Sequence, residues 1–137
     1  VHEGPCGISP LSNTVPLEPG MVISNEPGYY KEGSYGIRIE SLVAVIDTGT
    51  KDADGKNLLA FRTLTMVPID RNMIEASLLT ADELKWLNDY HAEVQKNLQP
   101  LLEKTDPKAA AFLKKAVAPI QKDTPPFKIQ KMKGFFL

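Results

Sequence analysis

The sequence has few of the features that mark exported or membrane-bound proteins. It contains a single cysteine, Cys6, which cannot form an internal disulfide and therefore favours a reducing compartment. No apolar run approaches the roughly 20 residues of a membrane-spanning helix, and the first residues lack the basic and apolar stretches of a secretory signal. We therefore expect a cytoplasmic protein that has no membrane partner.

An excess of positive charge is also missing. Sixteen basic and seventeen acidic side chains give a net charge of −1, which argues against nucleic acid as a partner. The 137 residues, 42% of them hydrophobic, suit one domain or part of one. Because the first residue is Val1 rather than methionine, we expect a piece of a longer chain.

The composition changes once along the chain, near residue 70. Residues 1–70 combine many glycines and prolines with short β-branched runs, which predict strands at residues 20–26, 35–46 and 58–69 and a loop at 47–57. Pro27 should interrupt the first strand, because it lacks an amide donor. Residues 71–137 read as a helical extension and a tail. The fold class is therefore α+β.

Two helix starts are visible in the extension. Thr80 and Glu83 form a capping-box pattern, and Asp106 precedes a proline suited to a first helical turn. We expect Pro100 to end or kink the first helix. The spacing of apolar residues predicts that the buried side chains are Leu84, Leu87, His91, Val94, Leu98 and Leu101 in the first helix, and Phe112, Leu113 and Val117 in the second.

Two glutamates carry the most informative geometry. In a hairpin centred on Gly33, facing residues have numbers that add up to 66, as those of Glu26 and Glu40 do. Their Cβ atoms would then lie about 4.5–5.5 Å apart, so the two negative charges need compensation. A divalent cation could supply it, and Arg38, on the same face as Glu40, could hold a carboxylate.

Simpler interpretations of these residues remain open. Glu26 and Glu40 could be solvated strand residues, with Arg38 paired to one of them, and Pro27 could introduce a bulge that spoils the register. His2 could contact a substrate or be an ordinary loop histidine. His91, on the apolar helix face, suits a hydrogen-bonded core position.

Four motifs, in this order along the chain, carry a resemblance to a known family. VHEGP (residues 1–5), LEPGM (17–21), NEPGYY (25–30) and GIRIE (36–40) together resemble the C-terminal half of the catalytic domain of Xaa-Pro aminopeptidases, the pita-bread metallopeptidases. LTMVPI (64–69) and WLNDYH (86–91) are similar to the longer cytosolic eukaryotic form. The resemblance implies that residues 1–70 form half of a curved antiparallel sheet and that residues 71–137 form a helical C-terminal extension.

The resemblance also implies roles for individual residues. Two divalent ions, usually Mn²⁺, would be held by Glu26, by Glu40 as the bridging ligand, and by two aspartates and a histidine that precede Val1. Glu26 would also act as general base, Arg38 would support the site, and His2 would contact the substrate. The implied substrates are peptides with proline at the second position.

Further expectations follow from the same resemblance. The chain would be a C-terminal fragment that depends on its missing N-terminal part, is inactive alone, and belongs to a homodimer. The alternatives are a prolidase-type dipeptidase, a methionine aminopeptidase, or an inactive pita-bread-like module that binds peptides or proteins. The helical extension favours the aminopeptidase over the two other enzymes, and the presence of both glutamates disfavours the inactive module.

Overall fold

A computed structural model describes residues 6–123 of the chain. Contacts within the chain divide it into two compact units between Thr65 and Met66, five residues before the boundary expected from composition. The assignment of residues 1–70 and 71–137 to separate domains stays a prediction. Among residues 6–123, no helix is both long enough and apolar enough to cross a membrane.

Five antiparallel strands are present in residues 6–65, the described part of the first unit. Three of them form a sheet in the order β1-β4-β5, and the other two form the pair β2-β3. The strands are β1 (Val22–Asn25), β2 (Gly28–Lys31), β3 (Tyr35–Arg38), β4 (Ser41–Lys51) and β5 (Asn57–Thr63). The single strand predicted for residues 35–46 is thus divided into β3 and β4, and the strand predicted for 58–69 is shorter than expected.

The first four strands form one long hairpin with a single register. Asn25 faces Ser41 in the β1-β4 pair, and Gly28 faces Arg38 in the β2-β3 pair. Between them the Ile39 amide donates to the Pro27 carbonyl over 3.2 Å, but Pro27 has no amide hydrogen to return the bond. The interruption expected at Pro27 is therefore confirmed, and it leaves the register unchanged.

A tight turn closes this hairpin at the predicted centre. The Ser34 amide donates to the Lys31 carbonyl over 3.0 Å, and Gly33 adopts a φ of 65°. Side chains other than glycine rarely take this left-handed conformation, so glycine suits the position. The predicted centre of the hairpin is confirmed.

The loop predicted for residues 47–57 is partly wrong, because β4 continues to Lys51. The pairing of β4 with β5 is shifted between Asp47 and Lys51, which then faces Asn57. The Asp47 carboxylate accepts hydrogen bonds from the Gly49 amide, at 2.8 Å, and from the Asn57 side chain, at 3.0 Å. These bonds satisfy polar groups at the irregularity and allow the strand pair to extend beyond it.

Burial in the first unit is concentrated in β1 and β4. Ile23 and Val45 are each only 2% exposed, and Val43 and Ala44 are also buried. Every residue of β2 and β3 is exposed. The buried part of the sheet therefore anchors the hairpin on one side of Pro27.

The second unit consists mainly of two helices, α1 (Ala81–Thr105) and α2 (Pro107–Ala116), after two short 3₁₀ helices (Arg71–Met73 and Ala76–Leu78). The capping box at the start of α1 is present, since the Glu83 amide donates to the Thr80 hydroxyl and the Glu83 carboxylate accepts from the Thr80 amide. The Asp106 carboxylate accepts from the first amides of α2. Both predicted helix starts are confirmed.

The first helix does not end at Pro100 but continues to Thr105. A proline in this position removes one backbone hydrogen bond. Beyond it, the Asp106 amide still donates to the Leu102 carbonyl over 2.7 Å, and the Leu102 side chain packs on the buried cluster of the two helices. This packing on the C-terminal side of Pro100 offsets the missing bond.

Two apolar clusters form the core of the second unit. One contains Tyr90, Val94, Leu113 and Val117, and the other contains Ala76, Leu87 and Ile120. The predicted burial of Leu101 and Phe112 is wrong, because they are 60% and 70% exposed. Each lies next to a better-placed residue, Leu102 or Leu113, and one position along a helix turns a side chain by about 100°.

The third strand ends at Thr63 and does not include residues 64–69, contrary to the prediction, and residues 67–69 form hydrogen bonds elsewhere. Side chains of α1 hold this segment instead: the Tyr90 hydroxyl donates to the Val67 carbonyl at 2.7 Å, and the Ile69 amide donates to Nε2 of His91 at 3.1 Å. Pro68 lies between these two contacts and cannot donate to a strand ladder. An extended apolar segment is thus paired with helix side chains.

Candidate metal centre

The two glutamates lie at the interruption of the hairpin. Glu26 follows β1 and Glu40 precedes β4, and the pairs on both sides keep the register that places them opposite each other. Hydrogen-bonded and non-hydrogen-bonded pairs alternate along an antiparallel ladder. Pro27 and Ile39 form a hydrogen-bonded pair, so the next pair, residues 26 and 40, is of the other kind. In such a pair the Cα atoms are about 4.5 Å apart. This is the arrangement that brings facing side chains closest together.

Arg38 lies between the two carboxylates. Its Nη1 is 3.1 Å from Oε2 of Glu26, and its Nε is 3.7 Å from Oε2 of Glu40. One guanidinium group therefore contacts both carboxylates, and its single positive charge offsets one of their two negative charges. The side chains are 52% exposed for Arg38, 26% for Glu26 and 39% for Glu40, so each ion pair adds at most about 1 kcal/mol to stability. The contacts matter more for placing the carboxylates than for folding.

A serine that the sequence analysis did not single out also contacts this site. The Ser24 hydroxyl donates to Oε1 of Glu26 over 2.6 Å. Side chains two residues apart on a strand point to the same face, which is the signal that could have identified Ser24. Glu26 is thus held through both oxygens, one by Ser24 and the other by Arg38.

Tyr30 was also missed, and it lies on the same face. A Cβ atom on Gly28 would be 2.6 Å from the Tyr30 hydroxyl, and one on Gly36 would be 2.6 Å from Cδ1 of the ring. The ring therefore lies across the two glycines, where any other residue would collide with it. Its hydroxyl lies at Gly28, which faces Arg38.

The remaining candidate residues are the two histidines. His2 lies outside the described residues, so its role stays a prediction. His91 is fully buried and accepts the Ile69 amide through Nε2, which confirms a hydrogen-bonded core position. Burial, and next the positive charge of Arg71, lower the pKa of this imidazole and keep it neutral.

The glutamate pair suits part of a divalent metal site. Carboxylate oxygens are the hard donors that Mg²⁺, Mn²⁺ and similar ions prefer, and a guanidinium cation already lies between the two groups. Within residues 6–123, however, no three His, Cys, Asp or Glu side chains come together closely enough to hold an ion. Glu26 and Glu40 can therefore supply some ligands, and a complete site needs more.

Comparisons with known proteins give a consistent result. A family model described as "Metallopeptidase family M24" matches residues 1–47, and one described as "C-terminal region of peptidase_M24" matches residues 57–120. The chain is 48% identical over 124 residues to a probable Xaa-Pro aminopeptidase P of Laccaria bicolor, which covers 88% of this chain and 19% of that protein. It is 42% identical over 123 residues to Xaa-Pro aminopeptidase 1 of Dictyostelium discoideum, which covers 88% and 20%.

A solved structure is similar as well. It is the X-prolyl aminopeptidase of Caenorhabditis elegans, described as a cytosolic enzyme with a di-nuclear active site. The TM-score is 0.76 at 36% identity, over 87% of this chain and 19% of that one. The expected fold, the C-terminal half of a pita-bread domain followed by a helical extension, is confirmed. The chain spans about a fifth of the length of the relatives it matches.

Proposed function

The chain belongs to metallopeptidase family M24, and on this premise we propose that it is the C-terminal part of an Xaa-Pro aminopeptidase. The whole enzyme would hydrolyse the peptide bond between an N-terminal residue and a following proline. Its further ligands, two aspartates and a histidine, would come from a missing part of the protein that precedes Val1.

The observation that carries this proposal is the placement of Glu26, Arg38 and Glu40. The unbroken register puts both carboxylates on one side of the hairpin, and Arg38 contacts both of them. A hairpin that served only to stabilise the fold would gain little from facing like charges, because they repel. A requirement that both carboxylates bind cations would explain their position.

Each residue has a distinct task in the proposed reaction. Glu26 is a ligand and, as general base, its carboxylate accepts the proton that the attacking water loses. Glu40 would be a ligand of both ions, and Arg38 holds both carboxylates in place. His2 contacts the substrate. Divalent ions bound by these residues would supply a water of lowered pKa and a positive charge that stabilises the substrate carbonyl oxygen.

The proposal extends to the metal ion, the cellular compartment and the oligomeric state. We propose Mn²⁺ as the ion, the cytoplasm as the compartment and a homodimer as the assembly. The di-nuclear, cytosolic description of the Caenorhabditis elegans enzyme supports two ions and the compartment. Apolar side chains on the helices, Trp86 at 61% and Phe112 at 70% exposed, offer surfaces for a second copy. Metal analysis and the mass of the full-length protein in solution test the ion and the assembly.

The test of the function uses the full-length protein that contains these residues. Purified protein should hold two ions per chain and cleave a peptide with proline at position two, and Glu26→Gln should abolish cleavage. Glu75→Gln is a matched control, because Glu75 also accepts a serine hydroxyl at 2.6 Å but belongs to the second unit and not to the hairpin. Absence of bound ions together with retained peptide binding would favour the inactive module. Cleavage of dipeptides alone would favour a prolidase.

A further inference from the structure

Glu26 has two oxygens, and a different side chain holds each. Ser24 Oγ donates to Oε1 over 2.6 Å, whereas Arg38 Nη1 donates to Oε2 over 3.1 Å. The bond that turns a glutamate carboxylate about its own axis has a broad energy profile and fixes no orientation by itself. Contacts from two directions therefore define the plane of this carboxylate.

The Ser24 contact has the length of a charge-assisted bond. Hydroxyl-to-carboxylate bonds of this kind measure about 2.5–2.7 Å and are roughly twice as strong as bonds between neutral groups. Ser24 is half-buried on β1, directly after Ile23, which is 2% exposed. Its backbone is thus fixed by the buried part of the sheet, whereas Glu26 lies at the interruption, where the ladder bonds are incomplete.

The two holders of Glu26 differ in rigidity. Arg38 has a long side chain, is 52% exposed and lies on β3, where every residue is exposed. Ser24 has one side-chain torsion and a backbone paired with Leu42 of β4. A short side chain on a paired strand restrains its partner more tightly than a long exposed one. Ser24 is therefore the fixed point from which the orientation of Glu26 is set.

We propose that Ser24 is a positioning residue of the metal centre: its hydroxyl orients the Glu26 carboxylate for metal binding. The inference rests on the proposed function, because it assumes that Glu26 is a ligand. In this role Ser24 is not itself a ligand and acts through its hydrogen bond to Glu26. Residues that orient metal ligands typically change metal affinity or activity about 10–100-fold when they are replaced.

The experiment measures Mn²⁺ binding to the metal-stripped full-length protein by calorimetry. Ser24→Ala should raise the dissociation constant about 10–100-fold, and Ser24→Thr, which keeps the hydroxyl, should restore it. The matched control is Ser77→Ala, which removes a 2.6 Å bond to Glu75 and should leave Mn²⁺ binding unchanged. Unchanged affinity in Ser24→Ala, or a loss that threonine fails to restore, would overturn the inference.

Two further sets of variants keep the outcomes separate. Glu26→Gln and Glu40→Gln test the proposed site itself, and if neither weakens Mn²⁺ binding, the proposed function fails. If both weaken it while Ser24→Ala does not, only the role of Ser24 fails. Should Ser24→Ala not fold, Ser24→Cys keeps the size of the side chain with a weaker donor and should weaken binding in the same direction.

Discussion

Glu26 and Glu40 face each other across an antiparallel hairpin at an interruption of its hydrogen-bond ladder. Pro27 causes the interruption, because it has no amide hydrogen. The Ile39 amide still donates to the Pro27 carbonyl, so the strands stay in register. The two carboxylates therefore stay opposite each other although a backbone hydrogen bond between the strands is missing.

Removal of Arg38 should lower both the stability of the metal-free protein and its response to added ions. In Arg38→Gln, the facing carboxylates lose their cation, so the metal-free form should lose up to about 1 kcal/mol of unfolding free energy. Added Mn²⁺ should stabilise this variant by less than it stabilises the unchanged protein, because the two carboxylates are no longer held in place. Thermal unfolding with and without Mn²⁺ measures the difference. Equal stabilisation of both proteins would contradict this role for Arg38.

Leu87 should be important for the stability of the second unit. It is 5% exposed and packs in a cluster with Ala76 and Ile120, so Leu87→Ala should cost about 2–5 kcal/mol of unfolding free energy. Leu101→Ala, on the same helix but 60% exposed, is the control and should change it by less than about 0.5 kcal/mol. Denaturant unfolding of both variants checks the prediction, and similar costs would refute the assigned burial.

The buried His91 should make stability depend on pH. Its pKa is lowered in the folded state by burial and by Arg71, so below about pH 6.5 the unfolded chain binds more protons than the folded one. The contribution is fully present above pH 6.5 and is lost as the pH falls towards the folded pKa.

Unfolding free energies from pH 8 to pH 5 test this dependence. The loss should approach at most about 1.4 kcal/mol per pH unit for one proton. His91→Leu should be less stable at pH 8, because the Ile69 amide loses its acceptor, yet its stability should vary less with pH. A variant as pH-sensitive as the unchanged protein would show that other groups cause the dependence.

Thr80 should contribute measurably to the stability of α1. Its hydroxyl accepts the Glu83 amide at 3.2 Å, and the Glu83 carboxylate accepts both the amide and the hydroxyl of Thr80 at 2.8 Å. Thr80→Ala should therefore cost about 1 kcal/mol, whereas Thr80→Ser should cost little. Denaturant unfolding distinguishes the two. The backbone amide of Thr80, and next its hydroxyl, hold the pKa of Glu83 below its usual range, so the alanine variant should raise this pKa only part of the way back.

Local patterns in the sequence determined the register of the hairpin and the starts of both helices. The turn at Gly33 and the alternation of side chains placed Glu26 opposite Glu40, and the caps at Thr80 and Asp106 marked both helix starts. These features depend on residues close along the chain or on the strict two-residue period of a strand. The missing amide of Pro27 likewise predicted the interruption without any knowledge of the fold.

Only the tertiary structure decided which of several suitable side chains are used. Leu113 rather than Phe112 is buried, α1 passes through Pro100, and residues 67–69 form hydrogen bonds with Tyr90 and His91 instead of a strand. Each outcome depends on which distant groups fill space or satisfy a hydrogen bond, and periodicity along the chain carries no information about those partners.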